Sequence, residues 1–220
     1  MGLDMFLYRA NKYSDNISAK ELSNINSYLE WNNGYSTKCS LQEYCEVSED
    51  DLNIGLVNKY GKDFVTRYSE LDKEKKYGWN SIFEEIAYWR KANSIHKWLV
   101  DNVQGGTDDC GYYEVTKDKL EELFKTCNKV LDNSKLISGN VKNGEEYKDG
   151  KLRAIIEQGM VVEDSTVAEQ LLPCSYGFFF GSVEYDQWYI DDIKYTADVI
   201  EKALKETDFE NQMIIYSSSW

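Results

Sequence analysis

A single histidine, His96, occurs in the 220 residues, so imidazole chemistry has one possible place in this chain. It stands in Ser81–Val103, SIFEEIAYWRKANSIHKWLVDNV. Glu85, Trp89, Asn93 and His96 follow one another there at steps of four, four and three, the spacing at which side chains meet along one helix face. A carboxylate, an indole, an amide and an imidazole in one stripe could line a pocket. Trp89 would be its stacking floor, and Glu85 and His96 its acid–base or ligand-binding groups. Arg90 points off the stripe and could clamp a phosphate. Glu85 and His96 would lie about 16 Å apart along a helix axis, too far to share a proton. The same residues fit a structural role, with Asn93 and His96 bonded to backbone or to tyrosine hydroxyls, because buried polar groups are as a rule satisfied. The ligand-binding candidates are Glu85, Trp89, Arg90, Asn93 and His96, with no catalytic set, no metal set and no cofactor.

The five cysteines, Cys39, Cys45, Cys110, Cys127 and Cys174, are odd in number and form no CxxC pair. Neither a disulfide framework nor a zinc site is expected, which suits a reducing, cytoplasmic compartment. Cys127 falls on the apolar face of an expected helix. Cys110, in a glycine-bent loop soon after His96, is the one thiol placed to form a Cys–His pair. Asp108 and Asp109 could ligate a cation, but the EF-hand spacing is absent and a solvated turn is the simpler reading.

No P-loop, Rossmann glycine fingerprint or GxSxG is present. Acidic residues number 39 against 25 basic, a net charge of −14, which argues against direct nucleic-acid binding through a basic face. The acidity serves solubility, or forms a face that mimics nucleic acid or meets a basic partner. Seventeen tyrosines against eight phenylalanines give many rings a polar end, as binding surfaces require. No apolar span is long enough for a membrane helix, and MGLDMFLYR lacks a signal-peptide core.

These groups need elements to hold them. Leu3, Met5 and Leu7 alternate with Asp4, Phe6 and Tyr8, the period of a strand. Ser18 with Glu21 is a capping box opening a helix with Leu22, Ile25, Tyr28 and Leu29 on one side. Residues 35–47 are ambiguous. Ser48 with Asp51 caps a further helix, and Phe64, Val65 and Tyr68 suggest another short element. Asp72–Lys76 reads as a solvated turn, and Ser81 with Glu84 caps one amphipathic helix that ends near Gly105. A short strand follows at Tyr112–Val115. Thr116 then caps a helix with Leu120, Leu123, Phe124, Cys127, Val130 and Leu131 as its core stripe. Residues 138–151 read as a hairpin tip or a flexible loop. Leu152–Ile156 is a candidate strand, and Val167–Leu172 one or two helical turns. SYGFFFGS, residues 175–182, reads as a buried strand, since three phenylalanines in water form a costly patch, or else as a loop that presents aromatic rings to a ligand. A last helix runs from about Glu184 to Glu206. Met213–Tyr216 is a terminal strand, and the final Trp220 is expected to be docked. The fold expected is α+β in one domain: helix-rich, with three or more long helices on a small mixed or antiparallel sheet that includes both termini.

Five pieces together resemble a family of small uncharacterised bacteriophage and prophage proteins: MGLDMFLYR, EEIAYWRKANSIHKWLVDNVQ, DDCGYYEV, LLPCSYGFFFGSVEYDQWYIDDIKYT and the closing SSSW. The resemblance spans most of the chain and is weakest over 32–80 and 133–165. Members are sometimes labelled phosphoglycerate kinase, but this chain is too short for that two-domain enzyme and lacks a nucleotide-binding glycine loop. The resemblance brings no catalytic residues. It implies host interaction, since small acidic phage proteins without an enzyme motif are often counter-defence factors such as anti-CRISPR proteins. Three functions follow in order. The first is a non-enzymatic inhibitor that binds a host protein or ribonucleoprotein effector through an acidic surface. The second is a protein that binds or sequesters a nucleotide or other small molecule. The third is a nucleotide-directed enzyme with Glu85 or His96 as base and Arg90 as charge clamp.

Overall fold

Alternation of apolar and polar residues makes Asp4–Asn11 a strand, β1, and both of its edges are paired. On one side it meets β2, Glu84–Arg90, and on the other β6, Gln212–Ser219, both antiparallel. A short β3, Tyr112–Val115, adds to β6 and completes a four-stranded sheet of order β2-β1-β6-β3. The computed structural model describes residues 2–12, 17–23, 26, 83–177 and 179–220.

The helices are α1, Asn93–Asn102; α2, Lys117–Asp132; α3, Thr166–Leu171; and α4, Gln187–Glu206. Thr116 caps α2 by accepting from the Lys119 amide, and Asp186 caps α4 by accepting from the Tyr189 amide. Both satisfy donors that a helix start leaves orphaned. One sheet face, carrying Leu3, Met5, Leu7, Ala87, Trp89, Val115, Ile214 and Tyr216, packs into a single buried cluster. The helices contribute Ile95 and Leu99; Leu120, Leu123, Cys127 and Val130; and Ile193, Ala197 and Ile200. The opposite face carries rings in contact: Phe6 stacks on Tyr8, and Phe83 tilts against both Tyr8 and Tyr112.

Between α2 and α3 the chain makes a second, two-stranded sheet. β4, Leu136–Lys148, turns at Asp149-Gly150 into β5, Lys151–Val162. Asp149 and Gly150 both have positive φ, 53° and 74°, as a tight hairpin turn with the strands' twist demands. The segment 138–151 is therefore most of one strand and the turn of this ribbon.

A helix-rich fold with three or more long helices on a small sheet is not what forms. Six strands in two antiparallel sheets hold about as much of the described chain as its helices. The central stretch decides the difference. Instead of one helix over 81–103, residues Glu84–Arg90 are strand and Asn93–Asn102 are helix. Ala87 and Trp89 point into the core while Tyr88 and Arg90 point out, a period of two. Lys91 breaks the run with φ 66°, a left-handed conformation uncommon for a side chain with a Cβ. The described residues of 175–182 also depart from the strand expected there: they form irregular chain, with Phe180 buried and Phe179 half exposed. Residues 19–23 are helical, and Ser18 and Glu21 make the reciprocal bonds of a capping box. The elements expected between residues 32 and 80, and the Ser81 cap, lie outside the described residues.

Asp192 gives α4 a pH dependence. Burial first, then the negative charges of Asp191 and Asp186, push its carboxyl up from the ordinary range to about 7. An unfolded aspartate titrates near 3.9, so the folded state holds this proton more tightly. Its contribution to stability is complete below about pH 4 and is lost as pH rises through about 7. Asp192→Asn keeps the shape without the charge. It is expected to melt with the wild type at about pH 4 and clearly above it at about pH 8, as followed by circular dichroism. Equal melting temperatures at the higher pH would sink the assignment.

Candidate functional site

The five candidate residues do not form one stripe, because the helix that would align them is split. Glu85 and Arg90 are exposed on β2, Trp89 is buried on the same strand, and Asn93 and His96 are buried on α1. The Trp89 indole N–H donates to Thr196 Oγ1 at 2.9 Å, and its ring meets Tyr195 edge-on. It is a tie between sheet and α4 rather than an open stacking floor. Glu85 lines a cleft of about 120 Å³ with Arg9, Glu84 and Lys202. Arg9 there forks onto both oxygens of Glu84 at 2.9 Å.

Asn93 holds the irregular 175–182 segment through its whole amide. Its Nδ2 donates to the carbonyls of Phe180 (3.1 Å) and Ser182 (2.7 Å), and its Oδ1 accepts from the Ser175 amide (3.0 Å). The segment must approach closely: a Cβ on Gly181 would lie 2.9 Å from Lys91 Cβ. Backbone groups without a ladder need side-chain partners, and one amide supplies three of them.

His96 is 2% exposed and uses both ring nitrogens. Nε2 lies 2.9 Å from Asp108 Oδ2, and Nδ1 lies 2.7 Å from the Tyr216 hydroxyl. A carboxylate only accepts, so Nε2 carries the proton, and in the neutral ring Nδ1 accepts from Tyr216. Burial pushes the Tyr216 hydroxyl up, which keeps it a donor. The rings of Phe180 and His96 meet edge to face with centroids 5.3 Å apart, and Trp220 meets Phe180 edge to face with centroids 6.0 Å apart. The network ties α1, the loop after it and β6 together.

Among the described residues no cysteine forms a Cys–His nucleophile. The Cys110 thiol is raised by burial and bonds to the Trp220 backbone, and both nitrogens of His96 are engaged elsewhere. Burial pushes Cys127 and Cys174 up to about 12, so neither supplies a thiolate near neutrality. Asp109 accepts from the Tyr113 hydroxyl and from the Gly111 amide. Among the described residues no three His, Cys, Asp or Glu side chains stand together as a metal site.

The surface the sequence reading missed is the ribbon. On one face of β4–β5, Tyr147 and Leu152 form a cross-strand pair near the turn, followed along β5 by Ala154, Ile156 and Met160; the β4 half of this face is polar, with Lys142 opposite Ile156 and Asn140 bonded to Gln158. Tyr147 is 76% exposed, Leu152 63%, Ile156 55% and Met160 38%. The other face mixes charges with Ile155 and Val141. The strand expected at Leu152–Ile156 lies within β5, and the alternation of Leu152, Ala154 and Ile156 with Lys151 and Arg153 was the available signal for an exposed row.

No protein-family profile matches the chain, and no solved structure matches it. It is 26% identical over 167 residues to a serine/threonine-protein phosphatase, UIS2, of Plasmodium berghei (strain Anka). The match covers 66% of this chain, which spans only 12% of the phosphatase's length. Among the described residues no helix is long and apolar enough to cross a membrane.

A packed network and an open pocket respond differently to substitution. His96→Ala leaves a buried hydroxyl and a carboxylate without their partner and is expected to cost about 2–4 kcal/mol in urea unfolding. Glu85→Gln and Arg90→Ala, on an exposed strand edge, are expected to stay within about 0.5 kcal/mol. A His96→Ala protein as stable as the wild type would remove the structural role.

Proposed function

We propose that the protein acts by binding a partner protein, without chemistry of its own, and that the β4–β5 ribbon is the element that meets the partner. The observation that carries this reading is the row of exposed apolar side chains Tyr147, Leu152, Ile156 and Met160, which no described residue covers. A two-stranded ribbon on its own is marginal in water, and among the described residues the β4–β5 sheet has two strands. Exposed apolar side chains clustered among polar ones characterise interaction sites, and burying apolar surface contributes roughly 25 cal/mol per Å².

Charge describes the partner. The ribbon holds four basic residues (Lys142, Lys148, Lys151, Arg153) and four acidic ones (Glu145, Glu146, Asp149, Glu157), so the chain's net −14 lies entirely outside it. A complementary surface is apolar where it takes the ribbon and basic where it faces the acidic body. In the phage setting that the resemblance implies, that partner is a host protein or ribonucleoprotein effector, and the activity is inhibition by occupancy. The reading as a nucleotide or small-molecule sequestering protein needs the Trp89–Asn93–His96 region open, and those side chains are packed against Thr196, Phe180 and Tyr216.

Leu152→Ser and Ile156→Ser change exposed positions and should leave stability within about 0.5 kcal/mol. Tagged wild-type protein in a bacterial host extract is expected to retain a specific protein that both variants lose at least about tenfold, by quantitative mass spectrometry, while Glu85→Gln retains it. Equal retention by wild type and both ribbon variants would overturn the ribbon as the binding element.

A further inference from the structure

The ribbon has a second surface, its β5 edge. Among the described residues β4 and β5 form a sheet of two strands, which leaves the outer edge of each to be accounted for. The β4 edge is interrupted: the register shifts between Lys142 and Glu145, and Gly144 there has φ 98°. The extra residue sits on β4, so β5 runs through without a break. At its base the β5 edge already takes a strand. Val161 bridges Asp186 antiparallel, and the Val162 amide donates to the Tyr185 carbonyl at 2.9 Å. This bond fixes which amides point outward. With a period of two, those of Met160, Gln158, Ile156, Ala154 and Leu152 face the same side as that of Val162.

We infer that this edge pairs with the same edge of a second copy of the chain, antiparallel about a two-fold axis, to give a four-stranded sheet. The free edge runs from Lys151, after the turn, to Gly159, before the bridged base, and its midpoint is Ile155. Full overlap therefore places Ile155 opposite Ile155 of the second copy. Ala154 then exchanges both backbone bonds with Ile156 of the other chain, in keeping with the outward amides. The same register sets Arg153 opposite Glu157 of the second copy, twice, and opposite charges across a strand pair favour it. Self-pairing of an edge strand is the association that an unprotected edge invites. The acidity that would oppose a second copy lies outside the ribbon, whose own charges cancel.

A two-fold axis perpendicular to the sheet keeps like faces together. The β5 rows of Leu152, Ala154 and Ile156 from the two copies then lie side by side at the centre of the joined face. The inference thus rests on the ribbon reading for its use, and it assigns the partner a broad or two-fold symmetric surface.

Sedimentation equilibrium of the full chain tests it directly. Wild type is expected to pass from a 25.6 kDa monomer to twice that mass as concentration rises toward about 100 μM. Arg153→Glu sets like charges opposite each other and should weaken association at least about tenfold, and adding Glu157→Arg should restore it to within about threefold. Ala154→Pro removes an outward amide without touching the β4 ladder and should give a monomer with unchanged thermal unfolding. A wild type that stays monomeric throughout would overturn the pairing, as would a dimer indifferent to both Arg153→Glu and Ala154→Pro. The two readings fail separately. A monomer whose partner capture is still lost on Leu152→Ser loses only the dimer; a dimer whose capture is indifferent to that change loses only the partner face.

Discussion

β1 is hydrogen-bonded along both edges, to β2 on one side and β6 on the other. An interior strand leaves no backbone group for water to satisfy, so its position dictates what surrounds it. Its partners come from residues 84–90 and 212–219, distant in sequence, and their apolar side chains reach the helices only through its register. Met5 stands between Trp89 and Ser218, and Leu7 between Ala87 and Tyr216. A slip of one residue would turn each of these to the wrong face. Trp89 reaches Thr196 and Tyr216 reaches His96 because β1 holds their strands in this alignment.

The polar residues that looked most like a site turn out to be the fasteners of this arrangement. His96 joins Asp108 to Tyr216, Asn93 secures three backbone groups of an irregular segment, and Trp89 binds sheet to helix. Each is a buried polar group whose partners come from a different element, the condition under which such a group lends specificity to a fold. The chemistry of imidazole, amide and indole is spent on holding the chain together. Among the described residues, the most exposed apolar side chains lie outside this core, several of them in the ribbon.

The ribbon and the body make opposite demands. The body encloses a buried cluster within layers of sheet and helix, whereas the ribbon exposes most residues of both strands. An arm of this kind gains little from folding alone and gains more from contact. Its tie to the body at Val162 and Tyr185 places its base beside the start of α4. Its apolar face and neutral charge set it apart from the acidic remainder.

Local pattern alone determined the elements whose period is unambiguous. The alternation in β1 and the terminal strand, the stripe and Thr116 cap of α2, the long α4 and the Ser18–Glu21 capping box could all be read from neighbours in sequence. Tertiary structure decided the rest. In residues 84–102 the steps of three and four that suit a helix coincide with an in–out alternation at Ala87, Tyr88, Trp89 and Arg90, and pairing with β1 selected the strand. The break falls on Lys91 at positive φ, where no glycine or proline announces it. The shape of 175–182 depends on an amide 82 residues away, and the length of the ribbon on cross-strand pairs that no single segment contains. Period and caps are properties of neighbouring residues, whereas pairing and burial belong to contacts between distant ones.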